Sequence, residues 1–204
     1  MNMSRPRIFL FLLVSLIGVI PAWSQGVKFT PFVGYTFPDK VYGYYGNVTI
    51  GDGTSFGGVL TYEKSSNLAV DLMYSYQSTS FGLSAITPGS GYQPGTFPGS
   101  VSYLMLGSRH SPDFNAKVAP YGGVLVGAAI FNSDRTSETW KFAVGGKLGV
   151  VYHFNEKFGL MLQTQLLVPV QGVGIYFGTG GAGASTTSSA TQFGFTGGLE
   201  IKLR

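Results

Sequence analysis

No cysteine occurs in the 204 residues, so neither a disulfide nor a thiol nucleophile is available. Histidine is almost as scarce. Only His110 and His153 could serve as imidazole bases, and two distant histidines among scattered carboxylates show no metal-ligand spacing. Charge is thin: Asp, Glu, Lys and Arg make up 11% of the chain, against about 25% in ordinary soluble domains. Setting aside Arg5 and Arg7, eleven Lys and Arg face nine Asp and Glu. A net charge of +2 gives nucleic acid no basic face to bind. Beyond Gln25 no apolar run reaches the roughly 20 residues that a spanning helix needs.

What is present begins with a targeting segment. Arg5 and Arg7 precede an apolar run from Ile8 to Ile20, broken only by Ser15 and Gly18. Ala22 and Ser24 then put small residues at the third and first positions before Gln25. This order predicts a secretory signal peptide over 1–24, cleaved after Ser24, and a single mature domain over 25–204.

Within that domain, 31 glycines and 15% aromatic residues accompany the low charge, and the dominant pattern has period two. Phe193, Phe195, Gly197, Leu199, Ile201 and Leu203 alternate with Gln192, Gly194, Thr196, Gly198, Glu200 and Lys202. Segments 140–154 and 68–77 alternate in the same way. A helix would scatter these residues around its circumference, whereas a strand sorts them into an apolar and a small or polar face. Eight strands are predicted, at 27–37, 54–63, 68–79, 99–108, 117–131, 140–154, 158–169 and 192–203. Pattern leaves the facing of 99–108 and 117–131 open, because both of their faces are apolar or small.

Connection lengths suggest the topology. Short links at 64–67, 109–116 and 155–157 alternate with long Gly-, Ser-, Pro- or Tyr-rich stretches at 38–53, 80–98 and 170–191, while 132–139 is intermediate. This is the layout of an all-β, eight-stranded antiparallel up-and-down transmembrane β-barrel, with short periplasmic turns and longer outer loops. In lipid no water satisfies strand amides, so such a sheet must close on itself. Aromatics collect where strands end: Tyr62, Tyr152, Phe154 and Phe158 near the short turns, and Phe37, Tyr76, Trp140 and Phe193 near the long loops. Rings at both ends of an apolar band form interfacial girdles.

The stretch from Lys117 through Pro120 and Tyr121 to Ala128, followed by the 142–169 hairpin around Asn155, Glu156 and Lys157, resembles the small OmpA/OmpX-type outer-membrane β-barrel superfamily. The resemblance covers the mature chain as a pattern. It implies residence in the outer membrane of a Gram-negative bacterium and contact with outer-membrane lipid and lipopolysaccharide. It also implies insertion by the barrel assembly machinery and a monomeric state.

Strand parity points Lys28, Glu63, Asp71, Lys147, His153, Gln163, Gln165, Glu200 and Lys202 toward the lumen. Closure makes the first and last strands neighbours, so a Lys28–Glu200 contact is expected near the periplasmic mouth. Asp71 and Lys147, deeper in, are expected to join a second network with Gln163 and Gln165. Buried charges persist only when paired and hydrogen-bonded, which favours a structural plug over a gated ion path. His110 beside Ser111 and Asp113 superficially offers a catalytic trio, but neighbours in a tight turn rarely reach relay geometry. The run from Gly178 to Ser185 lacks the helix start that a phosphate loop requires and reads as a flexible outer loop. Tyr42, Tyr44 and Tyr45 form an aromatic cluster suited either to recognition of an extracellular ligand or to a headgroup-level cap.

The sequence therefore favours a non-enzymatic barrel without cofactor that presents outer loops, in envelope integrity or surface binding. Two alternatives remain at this level: a narrow channel for small or apolar solutes, and a secreted lipocalin-like barrel with an apolar interior.

Overall fold

The computed structural model describes residues 26–42, 46–85, 95–133, 136–170, 173–178, 181–186 and 190–203. Among them there is no helix. The strands are β1 (Val27–Thr36), β2 (Asp39–Tyr42), β3 (Gly46–Ile50), β4 (Gly53–Glu63), β5 (Leu68–Ala85) and β6 (Gly95–His110), followed by β7 (Val118–Ser133), β8 (Thr136–His153), β9 (Phe158–Val170), β10 (Val173–Gly178), β11 (Gly181–Thr186) and β12 (Gln192–Lys202).

Eight of these strands, β1, β4–β9 and β12, form a closed antiparallel barrel. Each pairs with its sequence neighbour in the barrel, and β1 pairs with β12 to close the ring, Tyr35 opposite Phe195 and Lys28 opposite Lys202. The expected eight-stranded up-and-down architecture is thus the observed one. Alternation sets its two surfaces. On β8, Leu148 is 64% exposed while the adjacent Lys147 is 3% exposed. Outward rows of Val33, Phe56, Leu106, Val124, Leu162 and Phe195 leave the outer wall apolar. The interior, which eight strands leave just wide enough for side chains to fill, holds Val59, Met73, Met105, Leu125 and Met161 together with the polar residues described below. A ligand-holding barrel with a polar skin and an apolar cavity would show the reverse.

The structure also resolves the two ambiguous strands. Tyr103 and Met105 on β6, and Tyr121, Leu125 and Ala129 on β7, point inward, while Leu104, Leu106, Val124 and Val126 face out. Hydropathy could not separate these faces because both are apolar.

Strand lengths differ from expectation at the long-loop end. Residues 80–85 and 95–98, read from sequence as loop, prolong β5 and β6, with Phe81 opposite Phe97 and Leu83 opposite Gly95. The first long connection contains the β2–β3 hairpin, and β3 pairs with the outer part of β5. The 132–139 connection is largely strand, with a register shift between Phe131 and Ser133. The last contains a separate ribbon in which β10 pairs with β11, so the segment expected to be a flexible loop has paired backbone. Backbone pairing onto a preformed strand needs no apolar alternation, so composition concealed these extensions. At the other end, β6 continues to His110, two residues beyond the expected limit.

Rings gather at both rims. Phe37 stacks on Phe193 at 5.9 Å, and Phe193 meets Phe195 edge-on at 5.1 Å. At the short-turn rim Tyr152 and Phe154 are 5.4 Å apart.

Candidate functional site: the polar lumen

Inward parity places one titratable side chain after another along the barrel axis. At the short-turn mouth, Lys28 on β1 lies 2.7 Å from Glu63 of β4 and 2.9 Å from Glu200 of β12. Glu200 Oε2 also accepts from Arg109 Nη1 at 3.3 Å. Arg109 Nε in turn donates to Asp71 Oδ2 at 2.9 Å. The same oxygen accepts from Lys147, and Asp71 Oδ1 accepts from Thr61 at 2.6 Å. Asp71, Arg109, Lys147 and Glu200 are all essentially removed from solvent. Three cations (Lys28, Arg109, Lys147) therefore face three carboxylates (Glu63, Asp71, Glu200), and the chain of pairs is electroneutral.

The next layer is uncharged. The Arg109 guanidinium sits 4.3 Å from the Tyr121 ring centroid. Tyr121 OH donates to Gln163 Oε1 at 2.9 Å, and Gln163 Nε2 donates to Gln165 Oε1 at 3.1 Å. Space for the tyrosine comes from Gly149, directly opposite on β8, where a Cβ would lie 2.6 Å from the phenol carbon and oxygen. Farther along, Tyr103 OH donates to Gln192 Oε1 at 2.6 Å.

Contacts within the chain tie residues together at both ends of the barrel. At the hairpin end the Gly51 carbonyl accepts from Thr79 Oγ1 at 2.6 Å and Gln77 Nε2 at 3.4 Å, and both Ile50 and Ala190 are buried. The Thr191 amide donates to Asp39, tying the last connection to the first. At the short-turn end Phe114, on the 111–117 connection, is 5% exposed, and its amide donates to Ser66 O at 2.8 Å. Outside this ring lies a concavity of about 570 Å³, with Lys28, His153 and Glu200 in its wall.

All seven residues assigned from sequence to the lumen network, Lys28, Glu63, Asp71, Lys147, Gln163, Gln165 and Glu200, are engaged in these contacts. Their grouping differs from expectation in one respect. Gln163 and Gln165 do not bond Asp71 or Lys147; they bond Tyr121 and each other. Arg109 instead joins the deep pair to the mouth pair, so the charges form one network. A strand ending at 108 leaves Arg109 in a turn, and because both faces of 99–108 are apolar or small, parity with Met105 and Gly107 gives no signal that it points inward. Lys202 is exposed at the mouth. His110 ends β6 facing outward, and Asp113 Oδ1 accepts from the Asn115 amide at 2.8 Å. Among the described residues no three His, Asp or Glu side chains form a group able to hold a metal ion. Tyr42 ends β2 with its side chain outside the described part, and Tyr44 and Tyr45 lie outside the described residues.

No family model matches the chain, and no curated protein matches it in sequence. Solved structures do match. The fold is similar to that of Neisserial surface protein A, with a TM-score of 0.62 at 12% identity over 88% of this chain and 98% of that one. The outer-membrane protein OprG from Pseudomonas aeruginosa gives 0.61 at 14% identity, over 87% and 96% of the two chains. The outer-membrane protein AlkL, solved in lipid bilayers, gives 0.53 at 17% identity over 88% and 91%. At these identities the likeness concerns the fold: a closed eight-stranded antiparallel barrel of the small outer-membrane type.

Proposed function

We propose that this chain resides in the outer membrane of a Gram-negative bacterium as a plugged, non-enzymatic barrel that presents the β2–β3, β5–β6, β7–β8 and β10–β11 hairpins at the cell surface. Its role is envelope integrity or surface binding. In this reading residues 1–24 are the cleaved signal peptide and 25–204 the barrel. The apolar outer wall contacts membrane lipid and lipopolysaccharide, the assembly machinery inserts the monomer, and any extracellular ligand meets the hairpins. The observation that carries the proposal is the pairing of an apolar exterior with an interior filled by an electroneutral chain of hydrogen-bonded charges. A filled lumen leaves the projecting hairpins as the surface available for recognition.

Two measurements test it. An epitope tag placed between β10 and β11 is expected to be accessible on intact cells and to fractionate with the outer membrane. Recovery of the protein in buffer without detergent contradicts the address. Planar-bilayer recording is expected to show no steady conductance, and a persistent open pore contradicts the plug.

A further inference from the structure

Two buried glutamines in the hairpin-side half of the lumen are each satisfied at one end only. Gln77 on β5 and Gln192 on β12 are almost wholly removed from solvent. Gln77 Nε2 donates to the Gly51 carbonyl, and this fixes which way the amide turns, because the opposite orientation would set two acceptors face to face. Gln192 Oε1 accepts from Tyr103 OH at 2.6 Å. The remaining ends, Gln77 Oε1 and Gln192 Nε2, are buried and meet no hydrogen-bonding partner among the described residues. One is an acceptor and the other a donor. Both residues line the same small cavity of about 10 Å³, which has Tyr103, Ser75, Thr36 and Gly194 in its wall. Small side chains make the space: Ser75 stands opposite Tyr103 across β5 and β6, and Thr36 opposite Gly194 across β1 and β12.

We infer that this cavity is a binding site for one water molecule, which accepts from Gln192 Nε2 and donates to Gln77 Oε1, joining β12 to β5 across the lumen. The two free ends select the occupant. A cation suits the Gln77 oxygen but is repelled by the Gln192 N–H, and an anion meets the reverse difficulty. An apolar group satisfies neither end, and a buried polar group left unmade is costly. Water carries donor and acceptor in one small molecule and bridges polar groups nearly as well as a direct bond. The volume agrees with that choice, since a single buried water needs roughly 10–15 Å³ of such space. The hydroxyls of Ser75 and Thr36 in the same wall bring the polar groups around it to the two to four partners usual for a buried water. Direct ion pairs therefore fill the short-turn half of the lumen, while solvent completes the hydrogen bonding of the other half. The inference rests on donor and acceptor counting at two amides and is independent of what the hairpins bind.

The test is a crystal structure of the detergent-solubilised full barrel, at a resolution that shows ordered solvent. The expected result is one density peak within hydrogen-bond reach, about 2.7–3.2 Å, of both Gln192 Nε2 and Gln77 Oε1. An empty cavity, or the two glutamine amides bonded directly to each other, overturns the inference. Crystals grown with rubidium in place of sodium separate water from a cation. No anomalous signal is expected at the peak, and a signal there overturns water as the occupant. Gln77→Met keeps the length of the side chain, removes the acceptor and is expected to lose the peak. A peak of unchanged occupancy in that variant overturns the bridge. The parent and rubidium crystals need no substitution, so their outcome holds whether or not the variant folds.

Discussion

Replacing Asp71 with asparagine keeps the shape of the side chain but removes the charge that two cations share. The carboxylate is fully buried and accepts from Arg109 Nε at 2.9 Å, from Lys147 and from Thr61. In Asp71→Asn three buried or mouth cations face two carboxylates, and the new amide turns a donor toward one of them. Removing one partner of a buried pair costs about 3–5 kcal/mol, mostly because the other charge is left uncompensated. The double variant Asp71→Asn/Lys147→Met removes the orphaned cation and restores balance at two against two. It is expected to recover about 2–4 kcal/mol, since an apolar group of similar volume replaces a buried ion at little net cost. Urea unfolding of the barrel in detergent micelles, extrapolated linearly to water, measures both steps. Trp140, 59% exposed on the outer wall, reports the transition, because the other tryptophan, Trp23, belongs to the segment expected to be removed. The reasoning fails if Asp71→Asn lies within about 1 kcal/mol of the parent, the range of ordinary substitutions. It fails equally if the double variant is less stable than the single one.

Other consequences can be checked separately. Lys147→Met leaves Asp71 bonded to Arg109 and Thr61, so single-channel recording should show conductance unchanged from the parent; an increase would assign Lys147 to a gate. Gly149→Val drives a branched side chain into the Tyr121 ring and should cost about 1–3 kcal/mol in the same unfolding assay, the usual range for overpacking. Tyr121→Phe in that background is not expected to rescue it, because the ring carbon as well as the oxygen stands 2.6 Å from the added Cβ. Leu148→Arg puts a charge on the outer wall and should cost about 2–4 kcal/mol if that position lies near the bilayer midplane.

Much of this architecture is readable from residue order. On β8, Phe142, Val144, Leu148 and Tyr152 alternate with Ala143, Lys147 and Val151, and a one-residue slip would turn every lysine into lipid. Register and facing are therefore written into that strand. Closure then makes Lys28 and Glu200 neighbours without further information. Legibility is lost where side chains stop discriminating. Leu104, Met105 and Leu106 are all apolar, so nothing in β6 announced which face is interior, and the inward Arg109 was hidden by the same ambiguity. The hairpin extensions were unreadable for a different reason. Gly82, Gly95 and Gly99 carry no facing signal, and their strands persist because the neighbouring backbone offers hydrogen-bond partners. The joining of mouth and deep charges by one guanidinium depends on interstrand stagger, which a single sequence does not encode visibly.

The two-sidedness of the wall can be measured without altering a residue. In methyl-labelled protein reconstituted with protonated lipid, Leu148, Leu162 and Leu199 should show nuclear Overhauser contacts to acyl-chain methylenes, while Leu125, Val59 and Met161 should show none. Acyl contacts at the second set and their absence at the first would mean that the barrel is inside out.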